Sequence, residues 1–434
     1  MAERRIGKLD FDPARNPAVL DTLTWDSPAL IRGASAQAMG FWEKAYSALQ
    51  SGGPLPSAPS LTLHDRSIGR CGNGSFLLGE CADGQHVLVA LTEDRGRAFL
   101  PDPLLRIGLP GGTVVSLHEA SAENVHRAYS KAAPGRLPQA MGMTPRLGIG
   151  TRMSRASWPG IWQAVGECFF AANAIQNSQR ELNLLENIRE GVPAQRLYYP
   201  GIGFVPEGHT GSTFEGLWLC GVCEALKAGV TQPYGADADH IMVKRGRDGP
   251  DRARKVLTAA RRYSFFTIDV SDILDYSALH PGTTTGHADT IERCIGDGKA
   301  ARDVLASYKA PLRIGGRSIR ISDVELAGLV GKYWRAMEAM DALVPFIASL
   351  KAGEPFDLEL SIDEHPPEIR AFDCLTSEVE VAFILEEAKR RGLPLTHLAP
   401  NLGVEKHTDY RYRDGLAGLE ARTRARDPRL RRTA

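Results

Sequence analysis

The chain has 434 residues, of which 43% are hydrophobic and 24% are charged, and its formal net charge is +0. This composition is typical of a globular protein with one large domain or two smaller ones, and the balanced charge excludes a strong electrostatic attraction to nucleic acid or to an anionic membrane. The sequence contains neither an apolar run of the roughly 20 residues that a membrane helix needs nor the apolar core of a signal peptide. We therefore expect a cytoplasmic protein without a nucleic-acid or membrane partner.

Residues 1–140 form a first region with its own character. A helix is predicted from about Ser35 to Gln50, and Gly- and Pro-rich sequence follows it. Two strand-like runs, Gly74-Ser-Phe-Leu-Leu-Gly79 and His86-Val-Leu-Val-Ala-Leu91, are separated by turn residues. Short apolar runs broken by Gly and Asp-Gly are typical of strands. The region is therefore predicted to be an N-terminal α/β accessory region.

Residues 141–412 have a different sequence pattern, in which short apolar runs alternate with longer segments of helical periodicity. This alternation is typical of βα units and a parallel sheet. About six to eight such units predict a (β/α)8 barrel of the TIM type, whose chemistry lies at the carboxyl ends of the strands. Residues 413–434 are predicted to be a basic, solvated tail. The main predicted strands are 147–151, 199–205, 234–243, 264–269, 357–362 and 393–399.

Acidic residues and a histidine lie within one apolar strand, Tyr234-Gly-Ala-Asp-Ala-Asp-His-Ile-Met-Val-Lys244. Burying a carboxylate or an imidazole without a partner costs several kcal/mol. A metal, an ion pair or a catalytic role would offset that cost. Successive strand residues point to opposite faces, which separates Asp239 from His240, although a turn near the strand end could bring both into one pocket.

Two later strands repeat this pattern and complete a candidate metal site. The strand from Phe356 ends in Asp363-Glu364, and Leu393-Pro-Leu-Thr-His-Leu-Ala-Pro400 carries His397. Divalent metals such as zinc take imidazole and carboxylate ligands, commonly three from the protein. We predict His240, Glu364 and His397 as ligands of a divalent cation (Zn, Mn, Co, Ni or Fe). Asp363 is an alternative to Glu364, because only one of two adjacent residues can face the site.

Candidate catalytic and substrate-binding residues also lie at or near the ends of the predicted strands. If His240 binds metal, Asp239 is the natural acid/base, and Asp269 ends the next strand as a second candidate. Asp269 also fits a helix-capping role. Arg152, Arg180 and Lys244 flank predicted strands and could bind the carboxylate of a small acidic substrate.

The remaining motifs are weak. Gly148-Ile-Gly150 lacks the third glycine of a dinucleotide fingerprint, so no nucleotide is predicted. Cys220-Gly-Val-Cys223 matches a redox pattern, but its apolar helical surroundings favour packing as small hydrophobic residues. Exposed thiols would support a redox protein instead.

Several of these segments resemble the tagaturonate epimerase family, sugar-acid epimerases of bacterial hexuronate catabolism. The resemblance implies a metal-dependent (β/α)8 barrel that interconverts tagaturonate and fructuronate, with His240, Glu364 and His397 as ligands and Asp239 as acid/base. It extends over about residues 147–410, and His365-Pro-Pro367 is a departure that concerns the substrate pocket. The resembling segments are Leu147-Gly-Ile-Gly-Thr-Arg-Met-Ser154, Ala174-Ile-Gln-Asn-Ser-Gln-Arg-Glu-Leu182, Gly235-Ala-Asp-Ala-Asp-His240, Phe266-Thr-Ile-Asp269, Ser361-Ile-Asp-Glu364, and His397 to Lys406 with Asp409-Tyr410.

The chemistry of such a substrate favours retro-aldol cleavage. The carbon whose configuration is inverted lies β to the ketone, so its C–H bond is not acidified by enolisation. Cleaving the neighbouring C–C bond, rotating the aldehyde and re-adding it would invert the centre, with a metal at the ketone oxygen and Asp239 and Asp269 exchanging the hydroxyl proton. A metal-dependent aldolase, a ketose isomerase and a non-catalytic sugar-acid binding protein remain alternatives, and a homo-oligomer is compatible with each.

Overall fold

The computed structural model describes residues 4–6, 9–11, 27–72, 74–82, 84–93, 100–151, 154–199, 202–246, 248–279, 286–314, 316–404 and 414–426. By its internal contacts the chain divides into two compact units, which are described separately below. The first unit comprises Met1–Gln195, Glu207–Ala238 and Ala259–Phe265, and the second comprises Arg196–Pro206, Asp239–Thr258 and Phe266–Ala434. The predicted boundaries at residues 140 and 412 remain a prediction.

The described helices are numbered in chain order. They are α1 (Ser27–Ser35), α2 (Met39–Ser51), α3 (Ala122–Ala132), α4 (Ser154–Cys168), α5 (Leu185–Glu190), α6 (Phe214–Ala228), α7 (Gly249–Ala259), α8 (His287–Ile295), α9 (Gly298–Ser307), α10 (Asp323–Lys351), α11 (Glu378–Arg390) and α12 (Gly415–Arg426). None of the helices in these ranges is long and apolar enough to cross a membrane. The expected cytoplasmic location remains a prediction.

The strands fall into two larger sheets and several two-stranded pairs. The described strands are β1 (Arg4–Ile6), β2 (Leu9–Phe11), β3 (Ser57–Ala58), β4 (Leu61–Leu63), β5 (Gly69–Cys71), β6 (Gly74–Cys81), β7 (His86–Thr92), β8 (Leu105–Gly108), β9 (Val114–Glu119), β10 (Leu147–Gly150), β11 (Ala172–Ser178), β12 (Leu182–Asn183), β13 (Arg196–Tyr199), β14 (Gly203–Pro206), β15 (Ser212–Thr213), β16 (Tyr234–Met242), β17 (Phe265–Asp269), β18 (Leu312–Ile314), β19 (Arg317–Ile319), β20 (Asp357–Ile362) and β21 (His397–Pro400).

A seven-stranded antiparallel sheet forms the N-terminal part of the first unit. Its order is β3-β4-β6-β7-β9-β8, with β5 paired to β6. Trp42 and Leu49 of α2 pack with Leu77, Val89 and Leu117 of the sheet in one buried cluster. Burial of apolar side chains on one face stabilises such a layer by roughly 25 cal/mol per Å². The predicted helix and both predicted strands of this region are present in the structure.

The second large sheet has six strands in the order β10-β11-β16-β17-β20-β21. The registers of β10 with β11 and of β20 with β21 are parallel. Sequential neighbours in a parallel sheet require crossover connections, which helices such as α4, α6 and α11 supply between the strands. The alternating pattern of the sequence therefore predicted the sheet correctly.

The predicted closed (β/α)8 barrel is wrong. In the described part of the chain, β10 and β21 are the two end strands of the sheet order and do not pair with each other. The segment predicted as one strand from Tyr199 to Val205 is instead the antiparallel hairpin β13–β14. Residues 286–319 contribute α8, α9 and the hairpin β18–β19, so they add no strand to the sheet. The sheet therefore lacks the strands that closure to eight would require.

Three helices differ locally from what the sequence predicts. Ser212, three residues before Glu215, is the N-cap that the capping-box pattern predicts for helix α6. The helix begins instead after Thr213, whose hydroxyl accepts a hydrogen bond from the Gly216 amide. The sequence pattern predicts a helix from Glu181 to Glu190, but α5 begins only at Leu185. Within the predicted tail, Gly415–Arg426 is helical.

Candidate metal centre

Three neighbouring strands of the six-stranded sheet bring ligand-type side chains together in the second unit. His240 lies near the end of β16, Asp269 is the last residue of β17, and Glu364 follows the end of β20 by two residues. These strands are adjacent in the sheet order. One donor atom from each residue lies within 4.8 Å of the others, and all three residues are buried.

The histidine is the centre of this group. Its Nδ1 lies 3.4 Å from Oδ2 of Asp269, and its Nε2 lies 3.3 Å from Oε1 of Glu364. The Nε2 atom also lies 3.7 Å from Oδ1 of Asp239, whose side chain is 22% exposed. An imidazole surrounded by three carboxylates suits a divalent cation, because both ligand types bind such ions.

The backbone at His240 explains how adjacent residues reach one site. His240 has a φ of +45°, in the left-handed region that side chains other than glycine seldom adopt. The strict alternation of the strand is therefore broken at this residue, and Asp239 and His240 both approach the same group. Residues held in this region cost about 1–3 kcal/mol and concentrate at functional sites.

The choice between Asp363 and Glu364 is visible in the structure. Oδ1 of Asp363 accepts a hydrogen bond from the Ser361 hydroxyl at 2.6 Å. Glu364 is the residue that faces His240. The hydroxyl of Tyr276 lies 3.3 Å and 3.4 Å from the main-chain oxygens of Ser271 and Glu364, either of which can accept its hydrogen bond. Asp269 also accepts a hydrogen bond from the Ser271 amide at 2.9 Å. The N-cap of the short helix Ser271–Ile273 is Val270, with no side-chain cap, so the alternative capping role of Asp269 is wrong.

Glu359 is a carboxyl group near this centre that the sequence analysis did not select. Burial, together with the neighbouring charges of Asp239 and Asp363, raises the pKa of Glu359 from 4.5 to about 8, although His240 and a hydrogen bond with Thr267 act in the opposite direction. A glutamate in the middle of the apolar strand β20 was the signal in the sequence. Several carboxyl groups so close together repel one another when ionised, which a bound cation would offset.

Among the described residues, three of the other predicted ones, His397, Lys244 and Arg180, are not members of this group. His397 begins β21, opposite Glu359 in the register, and its Nδ1 lies 2.9 Å from the Thr396 hydroxyl. Lys244 follows β16 and is partly buried, whereas Arg180 is buried in the first unit. Arg152 lies outside the described residues, and so do the motif residues from Glu405 to Tyr410. Their predicted roles remain predictions.

Cys220 and Cys223, the residues of the possible redox motif, are both fully buried in α6. This burial agrees with the packing interpretation, because a redox thiol pair needs access to its partner.

The fold and this group of residues define an α/β protein with a candidate centre for a divalent cation. Residues 208–412, which contain every member of the group, match the family model described as tagaturonate epimerase. The resemblance to that family is therefore confirmed over this segment. The family is one of epimerases, which are isomerases.

A curated relative and two solved structures are also similar to this chain. A tagaturonate/fructuronate epimerase of Thermotoga maritima is 28% identical over 214 residues, which cover 49% of this chain and 39% of that protein. The chain thus spans well under half the length of this relative. The glycerol-bound crystal structure of a fructuronate-tagaturonate epimerase from Cohnella laeviribosi matches with a TM-score of 0.57 and 21% identity, covering 89% of this chain and 67% of that one. The native crystal structure of the same Cohnella protein matches with a TM-score of 0.55 and 21% identity, and the match covers 89% of this chain and 68% of that one.

Proposed function

We propose that this protein is a divalent-metal-dependent epimerase that interconverts tagaturonate and fructuronate. The observation that carries this proposal is the group of His240, Asp269 and Glu364, which lies within the segment that matches the tagaturonate epimerase family. The similar proteins of Thermotoga and Cohnella are named for this same reaction.

The cation would be held by His240, Asp269 and Glu364. This set replaces His397 of the sequence prediction with Asp269, because His397 lies outside the cluster of donor atoms in the described residues. Catalytic metal sites commonly take three protein ligands, imidazole and carboxylate among them, and keep a further position open for substrate. When bound there, the cation supplies a Lewis acid for the ketone oxygen of the substrate.

Asp239 is the residue that remains to handle protons. It lies beside His240 and is the most exposed carboxylate of those that contact it, so a substrate can reach it. Asp269 was a second candidate for the acid/base role, but in this proposal it is a ligand of the cation.

The reaction follows from the position of the inverted carbon, which is β to the ketone. Asp239 takes the proton of the hydroxyl group on that carbon, the bond between this carbon and the carbon next to the ketone breaks, and an aldehyde fragment and an enediolate result. The aldehyde turns its other face to the enediolate, the same bond re-forms, and Asp239 returns the proton to the new alkoxide. No redox partner is needed, and atoms and charge balance.

The proposal is tested by metal analysis and product analysis together. The purified protein is assayed for bound metal and then incubated with fructuronate and with Mn, Co, Ni or Zn in turn, and the sugars are followed by NMR. Tagaturonate formed only with metal, and lost in His240→Ala, is the expected result. Turnover without metal would contradict the proposed metal dependence. Metal binding without conversion of fructuronate would contradict the proposed substrate.

A further inference from the structure

A cavity of about 570 Å³ lies in the second unit, outside the residues assigned so far. Three arginines line it, and the other lining residues include Tyr276, Trp334 and Glu368. A volume of this size suits a small molecule such as a six-carbon sugar acid. Neither the metal group nor the substrate residues predicted from the sequence explain this concentration of guanidinium groups.

The cavity wall is built from the same chain segments that leave the metal centre. Arg245 follows β16, the segment from Ile273 to Ser277 follows β17, and Glu368 with Ile369 follows β20. These are the strands that supply His240, Asp269 and Glu364. Ligands of parallel sheets bind outside the carboxyl ends of the strands, where these segments run.

One side chain belongs to both places. Tyr276 lines the cavity, and its hydroxyl contacts the main-chain oxygens of Ser271 and Glu364. Through Tyr276 the cavity wall is therefore linked to the backbone of Glu364, whose side chain belongs to the candidate metal centre in the same unit.

The charged residues that line the cavity are three arginines and two carboxylates, Asp275 and Glu368, so positive charge exceeds negative charge and favours an anion. Arg245 is held by Glu368 at 3.2 Å, and its amide donates to Asp272 at 2.9 Å. Arg293 of α8 and Arg335 of α10 form no ion pair with any residue in the described ranges, and both are exposed. Each guanidinium group can bind a carboxylate with two parallel hydrogen bonds.

We infer that this cavity binds the carboxylate of an acidic sugar substrate, with Arg293 and Arg335 as the anion ligands and Arg245 as a fixed third cation. The inference rests on the proposed function, in which the carboxylate belongs to the aldehyde fragment. A fragment anchored by its carboxylate can turn about its own C–C bond without leaving the enzyme.

The test measures binding and turnover separately in Arg293→Gln, Arg335→Gln and the double variant, each loaded with metal. Each substitution is expected to raise both the calorimetric Kd and the KM for fructuronate by about 10-fold, within the range that a charged hydrogen bond provides. Metal content and the melting temperature should stay as in the wild type. Arg302→Gln, an exposed arginine of α9 outside the cavity, is the matched control.

Two further readouts separate this role from a merely structural one. Arg335→Lys should restore part of the affinity, because a lysine keeps the charge but not the paired hydrogen bonds. The wild-type Kd should also rise with salt, and less steeply in the double variant. Fructose, which lacks the carboxylate, should bind wild type and double variant equally weakly.

The outcomes distinguish the two proposals. Unchanged Kd and KM in the double variant, or a wild type that binds no fructuronate, would overturn the carboxylate site. A wild type that binds fructuronate through these arginines but does not convert it would keep the site and refute the epimerase.

Discussion

At the scale of single residues, His240 decides the chemistry of the site. Its positive φ turns the end of β16 so that Asp239 and His240 approach the same group of carboxylates. A strand with regular alternation would direct these two neighbours to opposite faces. The proposed roles, with His240 as a ligand of the cation and Asp239 as the proton acceptor, depend on this local conformation.

Asp239→Asn directly tests whether Asp239 transfers the proton without binding the cation. The amide cannot accept a proton from the substrate, so kcat should fall by about 10²–10⁴-fold, the usual contribution of general acid–base catalysis. Bound metal, measured by elemental analysis, should remain at the wild-type level because Asp239 lies outside the three proposed ligands. Full activity in the variant would refute the role of Asp239.

Glu359 gives a pH-dependent prediction for the metal-free protein. Its pKa is raised from 4.5 to about 8, chiefly by burial and then by Asp239 and Asp363. Between these values the folded chain keeps a proton that the unfolded chain releases. The free energy of unfolding should therefore fall, by a few kcal/mol at most, as the pH rises from about 4.5 to 8.

Denaturant unfolding in the presence of a chelator measures this effect. Glu359→Gln should lose the decline, because the amide does not titrate. Glu338→Gln, at an exposed position of α10, should keep it. An identical pH dependence in wild type and Glu359→Gln would show that Glu359 is not the group responsible.

At the scale of elements, a buried polar network joins α10 to α11. Lys332 lies 2.6 Å from Glu380, and the hydroxyl of Tyr333 donates to the same carboxylate at 2.7 Å. Burial alone would raise the pKa of Glu380, but Lys332 and the hydrogen bonds from Ser377 and Tyr333 hold it below its usual value. The lysine also lies 4.9 Å from the Tyr276 ring, so this network supports the residue next to the metal centre.

Lys332→Met should destabilise the protein by about 3–5 kcal/mol, because it leaves the Glu380 carboxylate buried without its cation. Adding Glu380→Gln should recover a large part of the loss, since the amide still accepts from Tyr333 without a charge. The exposed pair of Arg254 and Asp251 is the control, and Arg254→Met should cost less than about 1 kcal/mol. Equal losses at both lysine and arginine positions, in urea unfolding, would contradict the prediction.

The elements themselves were predictable to different degrees. Strands β16, β17, β20 and β21 follow from short apolar runs, which are local properties. Helical periodicity likewise predicts helices over residues 212–228 and 377–391, where the structure has α6 and α11. The hairpin β13–β14 was interpreted as one strand, because its turn is short and both arms carry aromatic residues. Residues 275–330 could not be matched to the segments of the family, and their described part contains the short helices α8 and α9 and the hairpin β18–β19.

At the scale of the whole molecule, cation binding should stabilise the folded chain. A metal at 100 times its Kd adds about 2.7 kcal/mol to the free energy of unfolding if the unfolded chain does not bind it. The melting temperature should therefore rise with Mn, Co, Ni or Zn and fall back with a chelator. His240→Ala should abolish the rise.

The same measurement separates the two ligand sets. His397→Ala should keep the metal-dependent rise if Asp269 completes the site, and Asp269→Ala should lose it. The opposite pattern would restore the set predicted from the sequence. Scanning calorimetry of the four proteins, with and without metal, gives the answer.

The sequence by itself determined that ligand-type side chains lie at strand ends in residues 234–400, because hydrophobic runs and buried charges are local signals. It also determined the resemblance to the tagaturonate epimerases through Gly235–His240 and its companion segments. The tertiary structure decided that the sheet has six strands rather than a closed eight, that Asp269 joins His240 and Glu364, and that Arg293 and Arg335 line one cavity. These outcomes depend on how residues distant along the chain pack, and strand pairing and side-chain convergence leave no periodic trace in the sequence.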